Sequence, residues 1–337
     1  MNVQQALKAS ANKLKLQNIS SFVLDVEVLL LEALNRNNNA PHPSPLPRGE
    51  GAKNKSWLYL NNEYILNKKE EELFNDFIKQ RLENKPVAYI INKKEFYGYD
   101  FYVDKNVLIP RPETELMIEE VLKILSGVHT LVCKNSDTNK INSYRLKPEL
   151  QNFNLIDIGT GSGCIIISIL NELTKNKINK IIYNAYANDI SLEAINVAKI
   201  NAKKYNLNKK IRFIKDDFEK FLDKEDIYTS DKIIITANLP YIKNGDYKNL
   251  SENVRKYEPK IALTAGKNGL DYIGKLINLI SKKQLKSNQK IYLFLEADPD
   301  QMSEITAILR ERLANVDVEI IRDLSGKERI VKLLFGN

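Results

Sequence analysis

The chain has few of the residues that support disulfides, metal binding and histidine-based catalysis. Its 337 residues include two cysteines, Cys133 and Cys164, and two histidines, His42 and His129. Two cysteines cannot build a disulfide framework, and nothing around these four residues has the spacing of a zinc-ligand cluster. The sequence therefore predicts no metal site, and it disfavours chemistry that depends on a histidine base.

Long apolar runs are also missing. No uninterrupted apolar stretch reaches the length of about 18 residues that a transmembrane helix needs. Residues 1–17 lack the apolar core of a secretory signal peptide. From these two absences we expect a cytoplasmic protein with no membrane partner, and we expect it to be a monomer.

The composition is otherwise that of a globular protein with an excess of basic residues. Hydrophobic residues make up 43% of the chain, which is enough for a sizeable core. At about 100–200 residues per domain, the length fits two domains, or one domain with an appendage. The net charge of +8 is compatible with a nucleic-acid partner, but the lysines are scattered. A general bias towards Asn, Ile and Lys explains the charge as well, so the charge does not identify a partner.

The N-terminal part has the periodicity of helices. Residues 4–35 predict two helices, and residues 67–84 predict a charged amphipathic helix. Between them, a stretch rich in proline and glycine, at about 38–56, predicts an exposed or disordered insertion. We therefore expect residues 1–86 to form a small helical domain.

The next part of the chain has a different pattern. Short β-like runs, AYIIN and FYGYDFYVD, predict a linker resembling a β-hairpin over residues 87–112. A helix is expected from about Glu113, and residues 127–152 are polar and weakly patterned, which predicts a loop or second insertion. The second domain is expected to span residues 113–337.

From residue 154 onwards, strand-like and helix-like segments alternate. The predicted strands cover residues 154–158, 181–188, 211–215, 232–237, 291–296, 317–322 and 329–334. The predicted helices cover residues 164–175, 191–205, 268–282 and 299–314. This alternation predicts an α/β fold with a mostly parallel sheet and helices on both faces. The last two strands have no helix between them, so we expect them to pair as a closing antiparallel hairpin.

Residues 154–164 read as a strand, a glycine loop and the start of a helix. Glycines allow a tight turn and a close approach of the backbone to a ligand, while the helix offers free N–H groups. The spacing G-x-G-x-G, preceded by Asp157, resembles the first motif of class I S-adenosylmethionine-dependent methyltransferases. The resemblance implies a Rossmann-like sheet and an S-adenosyl-L-methionine cofactor bound at Gly159, Thr160, Gly161, Ser162 and Gly163.

Asp189 and Phe218, which come at the ends of the next two predicted strands, complete the predicted cofactor site. Asp189 ends the next strand, where an acid in nucleotide-binding α/β folds accepts hydrogen bonds from a ribose hydroxyl. Phe218 follows the third strand, and we expect its ring to flank the adenine. The alternative is a purely structural glycine turn. The acid and a helix beginning at Ser191 make that alternative less favoured.

The strand at 233–237 ends in the tetrapeptide Asn238-Leu239-Pro240-Tyr241. It resembles the (N/D/S)-P-P-(Y/F/W) motif of methyltransferases that act on planar nitrogen. Such a nitrogen is a poor nucleophile because its lone pair is delocalised. The side-chain carbonyl of Asn238 and the backbone carbonyl of Leu239 would accept its two N–H hydrogens and orient the lone pair. Tyr241 would pack against the planar group, and Asn238 would also contact the cofactor.

The tetrapeptide alone leaves the substrate open. Leu239 stands where the commonest form of the motif has proline, and N-L-P-Y is also the form of rRNA adenine dimethyltransferases. A plain strand-end turn containing proline is the structural alternative.

Segments outside the core motifs resemble the release factor glutamine methyltransferases over most of the chain. The matching segments are 86–90, 95–98, 108–115, 258–259, 262–263, 266, 269–270, 296, 323–326 and 329. This family methylates the side-chain amide nitrogen of the glutamine in the Gly-Gly-Gln motif of class I peptide chain release factors. Departures from the family are the stretches near 40–55 and 130–150, and Ala297-Asp298 in place of a small residue followed by glycine.

The resemblance implies roles for two parts of the chain. The helical domain would help to dock the release factor, and the segment containing Arg111 would border the pocket. Arg111 either contacts the substrate or forms a structural ion pair with Glu113. Two alternatives to this enzyme remain: an N6-adenine methyltransferase acting on RNA or DNA, and a non-catalytic module that retains the cofactor fold. The leading interpretation requires no direct contact with nucleic acid.

Overall fold

The structure is a computed structural model, and it describes residues 1–36, 53–126, 152–175, 182–283, 285–286, 288–313 and 316–336. Most of the predicted insertion at 38–56 and nearly all of the predicted loop at 127–152 lie outside these residues. His42, His129 and Cys133 lie outside them as well. Helix formation begins at Lys55, so the end of the predicted insertion belongs to a helix instead.

The described chain forms two compact units. The first consists of the described residues within Met1–Lys94, Asp100–Lys105 and Leu250–Glu258. The second consists of those within Glu95–Tyr99, Asn106–Asn249 and Pro259–Asn337. The predicted domain division at residues 86 and 112 stays a prediction.

The regular elements follow in chain order. The α-helices are α1 (Val3–Leu16), α2 (Phe22–Asn35), α3 (Lys55–Leu60), α4 (Lys68–Leu82), α5 (Val87–Ile91), α6 (Glu115–Ser126), α7 (Cys164–Lys175), α8 (Leu192–Lys204), α9 (Phe218–Leu222), α10 (Glu252–Tyr257), α11 (Asp271–Ser281) and α12 (Met302–Arg312). The β-strands are β1 (Lys94–Phe96), β2 (Tyr99–Phe101), β3 (Asn152–Ile158), β4 (Ile182–Asp189), β5 (Ile211–Lys215), β6 (Lys232–Ala237), β7 (Lys290–Glu296), β8 (Asp317–Arg322) and β9 (Glu328–Phe335).

The first unit is helical, as expected. α1 and α4 begin with capping boxes at Asn2 and Asn67, in which the asparagine side chain and the residue at the third helical position cap each other's backbone N–H groups. Apolar faces of the helices enclose a core that includes Leu29, Leu30 and Phe74.

The expectation of β structure for the run AYIIN was wrong. Residues Val87–Ile91 form helix α5, which starts after Pro86 and ends at Asn92 in the left-handed conformation, with φ +54°. Tyr89 and Ile90 are buried, and α5 packs on α2 and α4. Burial against helices therefore overrides the strand preference of these β-branched and aromatic residues. The second run does form a hairpin, with β1 pairing β2 around Gly98.

The second unit is built on a seven-stranded sheet in the order β5-β4-β3-β6-β7-β9-β8. The pairs among β5, β4, β3, β6 and β7 are parallel, whereas β9 is antiparallel to both β7 and β8. Both the parallel sheet and the closing antiparallel hairpin are thus confirmed.

The strand order determines where a ligand can bind. The chain leaves β3 towards β4 on one side and later returns to place β6 on the other side of β3. Such a reversal opens a crevice at the carboxyl ends of the strands. The glycine loop follows β3 and the Asn-Leu-Pro-Tyr tetrapeptide follows β6, so both lie at this crevice.

The described residues contain neither a membrane-spanning helix nor a cluster of metal-binding side chains. None of the described helices combines the length and the apolar character needed to cross a bilayer. Within the same part of the chain, no cluster of His, Cys, Asp or Glu side chains is arranged to hold a metal ion.

Candidate active site

The loop after β3 depends on glycine at three positions. Gly159, Gly161 and Gly163 have φ angles of +67°, +54° and +78°, a region that side chains disfavour. The loop is fixed by hydrogen bonds from the Thr160 N–H to the Asn188 carbonyl at 2.9 Å and from the Gly163 N–H to the Thr160 carbonyl at 2.8 Å. These two hydrogen bonds define the path of the loop backbone.

Two of these glycines also permit close packing. A Cβ atom at Gly163 would lie 2.9 Å from Ile167 Cδ1 and 3.2 Å from Ala198 Cβ, so glycine lets the loop approach α8. A Cβ atom at Gly159 would lie 3.2 Å from Leu239 Cδ2. The loop and the tetrapeptide thus meet, as their positions in the sequence predicted.

Asp157 is a fully buried acid behind the loop. Its carboxylate accepts hydrogen bonds from Thr160 Oγ1 at 2.6 Å and from Thr236 Oγ1 at 2.8 Å. Thr236 pairs with Asp157 in the register of β3 and β6, which explains this contact. Burial raises the pKa of Asp157 to about 6, and the two hydroxyl donors oppose that rise. The sequence analysis did not identify Thr236.

Asp189 lies at the carboxyl end of β4, beside the loop. Its carboxylate accepts hydrogen bonds from the backbone N–H groups of Gly161 and Ser191, each at 2.9 Å. Burial raises the pKa of Asp189, and the backbone donors oppose this effect. Ser191 caps α8 by accepting a hydrogen bond from Ala194 N at 3.1 Å. Asp189, the residue predicted to bind the ribose hydroxyls, is thus hydrogen-bonded to the glycine loop.

Phe218 is the first residue of α9 and is half-buried. Its ring meets Tyr272 edge-on, with centroids 6.5 Å apart. Part of the Phe218 ring therefore packs in the core. Contact between the remaining part and the adenine stays a prediction.

The tetrapeptide is held in place from behind. Leu239 is buried, whereas Asn238, Pro240 and Tyr241 are half-buried. The carbonyl of Tyr241 accepts a hydrogen bond from Gln301 Nε2 at 3.0 Å, and a Cβ atom at Gly269 would lie 2.2 Å from that carbonyl oxygen.

The amide of Asn238 has a defined orientation. Its Nδ2 donates to Thr114 Oγ1 at 3.2 Å, and among the described residues nothing donates a hydrogen bond to its Oδ1. Glu296 is its neighbour because Ala237 pairs with Leu295 in the sheet, so the next residues of β6 and β7 adjoin. Burial raises the pKa of Glu296 to about 7, although hydrogen bonds from Thr114 and Asn238 oppose the rise. Neither Thr114 nor Glu296 has a role predicted from the sequence.

Arg111 has the extended backbone expected before a proline, with φ −101° and ψ 141°. The charges of Arg111 and Arg329 lower the pKa of Tyr241, but burial dominates and raises it. Arg111 is thus close enough to influence the tetrapeptide. Glu113, the ion-pair partner considered for Arg111, lies 3.9 Å from Arg329 Nη2.

Cys164 is the first residue of α7 and is packed in the interior of the second unit. Its thiol is buried, and burial raises its pKa to about 12. Only the thiolate is nucleophilic, so this group is inert near neutral pH.

Comparison with known proteins now adds to this geometry. Residues 5–91 match the family described as the PrmC N-terminal domain, and residues 149–311 match a methyltransferase domain. The release factor glutamine methyltransferase of Leptospira interrogans is 33% identical over 97% of this chain and 96% of its own length. The chain belongs to the release factor glutamine methyltransferase family. The corresponding protein of Clostridium acetobutylicum is 29% identical over 100% of this chain and 99% of its own.

Longer relatives exist as well. A bifunctional methyltransferase of Rickettsia bellii is 32% identical over 98% of this chain but only 54% of its own length. The chain therefore spans about half the length of the bifunctional relatives that it matches. Family membership confirms the predicted class I methyltransferase fold with an N-terminal helical region, and with it S-adenosylmethionine as the cofactor of this enzyme family.

Proposed function

We propose that this protein transfers a methyl group from S-adenosylmethionine to the side-chain amide nitrogen of a glutamine. The substrate is the glutamine of the Gly-Gly-Gln motif in class I peptide chain release factors. The observation that carries the proposal is the orientation of Asn238, whose Nδ2 is bound to Thr114 while Oδ1 has no donor among the described residues. A free carbonyl oxygen is the group that a substrate amide N–H requires.

The glycine loop fits the cofactor. The proposed cofactor loop consists of Gly159, Thr160, Gly161, Ser162 and Gly163, and its three glycines have no Cβ atom to obstruct a ligand. The hydroxyl of Ser162 is buried and has no hydrogen-bond partner among the described residues. The carboxylate of Asp189 would hold the ribose hydroxyls and Phe218 would flank the adenine. When bound, S-adenosylmethionine supplies a methyl group on a sulfonium, which makes that group electrophilic.

The tetrapeptide would act by positioning. Asn238 Oδ1 and the backbone carbonyl of Leu239 accept the two amide hydrogens of the substrate, which turns the nitrogen lone pair towards the methyl group. Pro240 keeps the turn in place, and Tyr241 packs against the amide plane. The bound cofactor would supply the methyl group, and the two carbonyl oxygens of Asn238 and Leu239 would hold the amide nitrogen with its lone pair directed towards that group. Orientation of this kind lowers the barrier without a histidine base.

The remaining parts of the chain have proposed roles in docking. Residues 1–86 would help to bind the release factor, residues 87–112 would connect that domain to the catalytic domain at 113–337, and Arg111 would border the pocket. The substrate is a protein of the translation machinery, so we expect the enzyme to act in the cytoplasm, as a monomer and without direct contact with nucleic acid.

A methyl-transfer assay with purified release factor tests the proposal. We expect one methyl group per release factor, located on the glutamine side chain by mass spectrometry, and no labelling of a Gln→Ala version of the Gly-Gly-Gln motif. Equal labelling of both proteins would refute the glutamine assignment. Transfer to RNA or DNA that weakens steeply with salt would instead support the adenine methyltransferase.

A further inference from the structure

Two buried polar side chains, Thr114 and Glu296, lie beside the amide of Asn238. The Asn238 amide donates to Thr114 Oγ1 at 3.2 Å. Hydrogen bonding by the Thr114 and Asn238 side chains lowers the pKa of the Glu296 carboxyl group, so both side chains lie beside that carboxyl. Glu296 is buried at the carboxyl end of β7. The three residues come from three separate segments of the chain: Thr114 immediately precedes α6, Asn238 follows β6, and Glu296 ends β7.

Glu296 differs from a buried glutamate with a structural role in the same unit. Glu172 is also buried, and its carboxylate accepts hydrogen bonds from Tyr99 at 2.6 Å and from Lys175 at 2.9 Å. By contrast, Glu296 Oε2 has no hydrogen-bond partner in the described part of the chain. Buried polar atoms are nearly always bonded, so an orphaned carboxylate oxygen needs an explanation other than stability.

From this geometry we infer that Glu296 is a positioning residue that acts through Thr114 to fix the amide of Asn238 with its oxygen towards the substrate. An ionised carboxylate can only accept hydrogen bonds, so the single hydroxyl proton of Thr114 is directed to Glu296. The Thr114 oxygen then has only lone pairs to offer Asn238. Only the NH2 end of the amide can use them, which leaves Oδ1 facing the crevice.

Protonation of Glu296 reverses this preference. A neutral carboxyl can donate to Thr114 Oγ1, whose own proton is then free to point at Asn238. The Asn238 amide could then rotate by half a turn, so that its oxygen accepts a hydrogen bond from the Thr114 hydroxyl. Its NH2 group would then face the substrate, which needs an acceptor at that position. The charge state of Glu296 therefore controls the orientation of Asn238.

The charged neighbours of Glu296 make this control sensitive near neutral pH. The pKa of Glu296 is raised to about 7, mainly by burial and also by the negative charge of Glu113, and the positive charge of Arg329 opposes the rise. Tyr241 and Cys164 also interact with Glu296, but burial raises the pKa of each, so both stay neutral at this pH.

The inference rests on the proposed function for its kinetic test, which compares isosteric variants. Glu296→Gln and Thr114→Val should each lower kcat on the order of tenfold to a hundredfold, because misorientation at a reacting group costs rate more than binding. The KM values for release factor and cofactor should change little. Thr114→Ser should recover most of the kcat that Thr114→Val loses, and kcat of the wild type should fall as the pH drops through about 7.

Controls separate this role from a structural one. Glu172→Gln removes a buried glutamate outside the site, and it should affect the thermal midpoint without lowering kcat. The double variant Glu296→Gln with Thr114→Val should be no slower than the slower single variant, since both break the same link to Asn238. If Thr114→Val kept the wild-type kcat while Glu296→Gln lost it, Glu296 would not act through Thr114 and the inference would be overturned. An unchanged kcat and pH profile in Glu296→Gln would also overturn it.

A second measurement does not depend on the substrate. In protein labelled with ¹⁵N asparagine, the side-chain NH2 signals of Asn238 should move with a midpoint near pH 7 in the wild type. They should not move in Glu296→Gln. If the wild type transferred no methyl to release factor, the proposed function would fail while this titration still decided the inference. Signals that stay constant across this pH range in the wild type would refute it.

Discussion

Replacement of Gly163 by alanine should destabilise the protein through two separable effects. The backbone at this position has φ +78°, and a left-handed conformation costs a residue with a Cβ atom about 1–2 kcal/mol. The new methyl group would also lie 2.9 Å from Ile167 Cδ1 and 3.2 Å from Ala198 Cβ. Overpacking of this kind costs about 1–3 kcal/mol. We therefore expect the free energy of unfolding to fall by about 2–5 kcal/mol.

Two other glycines serve as matched controls. Gly161 has φ +54°, but a Cβ atom there would find only the carbonyl oxygen of Gly159, at 3.9 Å, so Gly161→Ala should cost only the backbone penalty of about 1–2 kcal/mol. Gly274 lies inside α11 with nothing within 4 Å of the position of a Cβ atom. Gly274→Ala should therefore stabilise the protein by about 0.5–1 kcal/mol.

Urea unfolding of the three variants without cofactor measures these differences directly. The excess loss in Gly163→Ala over Gly161→Ala isolates the packing of the loop against α8, provided that the denaturant slopes agree. If the two variants lost equal stability, the close contact between Gly163 and Ala198 would not restrict this position. The reasoning from loop packing would then be wrong.

Three further outcomes follow from the site. Asn238→Ala should abolish methyl transfer while calorimetry finds nearly unchanged cofactor affinity; loss of cofactor binding would assign Asn238 a different role. Asp189→Ala should weaken cofactor binding in the same calorimetric assay, because the acceptor for the ribose hydroxyls is lost, and an unchanged affinity would contradict that role. The free energy of unfolding should fall as the pH rises from 4.5 to about 7, because folded Glu296 holds its proton to a higher pH than the unfolded chain does. The stability that Glu296 contributes is fully present below pH 4.5 and is lost above about pH 7. The loss amounts to roughly 3 kcal/mol in the free energy of unfolding. Urea unfolding of Glu296→Gln at a series of pH values should lack this part of the decline.

Periodicity in the sequence was enough to predict the seven strands of the large sheet and most of the long helices of the second unit. Predicted strands such as 211–215 and 232–237 match β5 and β6 residue for residue, and the helix expected at 164–175 matches α7. These segments are strongly patterned and bounded by turn residues. The run AYIIN is only five residues long, and its conformation depends on what covers it. Packing against α2 and α4 made it a helix.

The sequence by itself determined the motifs and their order: the glycine loop, Asp189 and the tetrapeptide each follow a strand, and parallel strands end at one edge of a sheet. Only the tertiary structure decided which residues contact Asn238 of the tetrapeptide. Thr114 is 124 positions from Asn238, and Glu296 is brought beside it by the register of β6 and β7. The family resemblance marks both positions in the sequence but does not show that they meet Asn238, because a contact between distant segments depends on strand order and burial, which are properties of the whole fold.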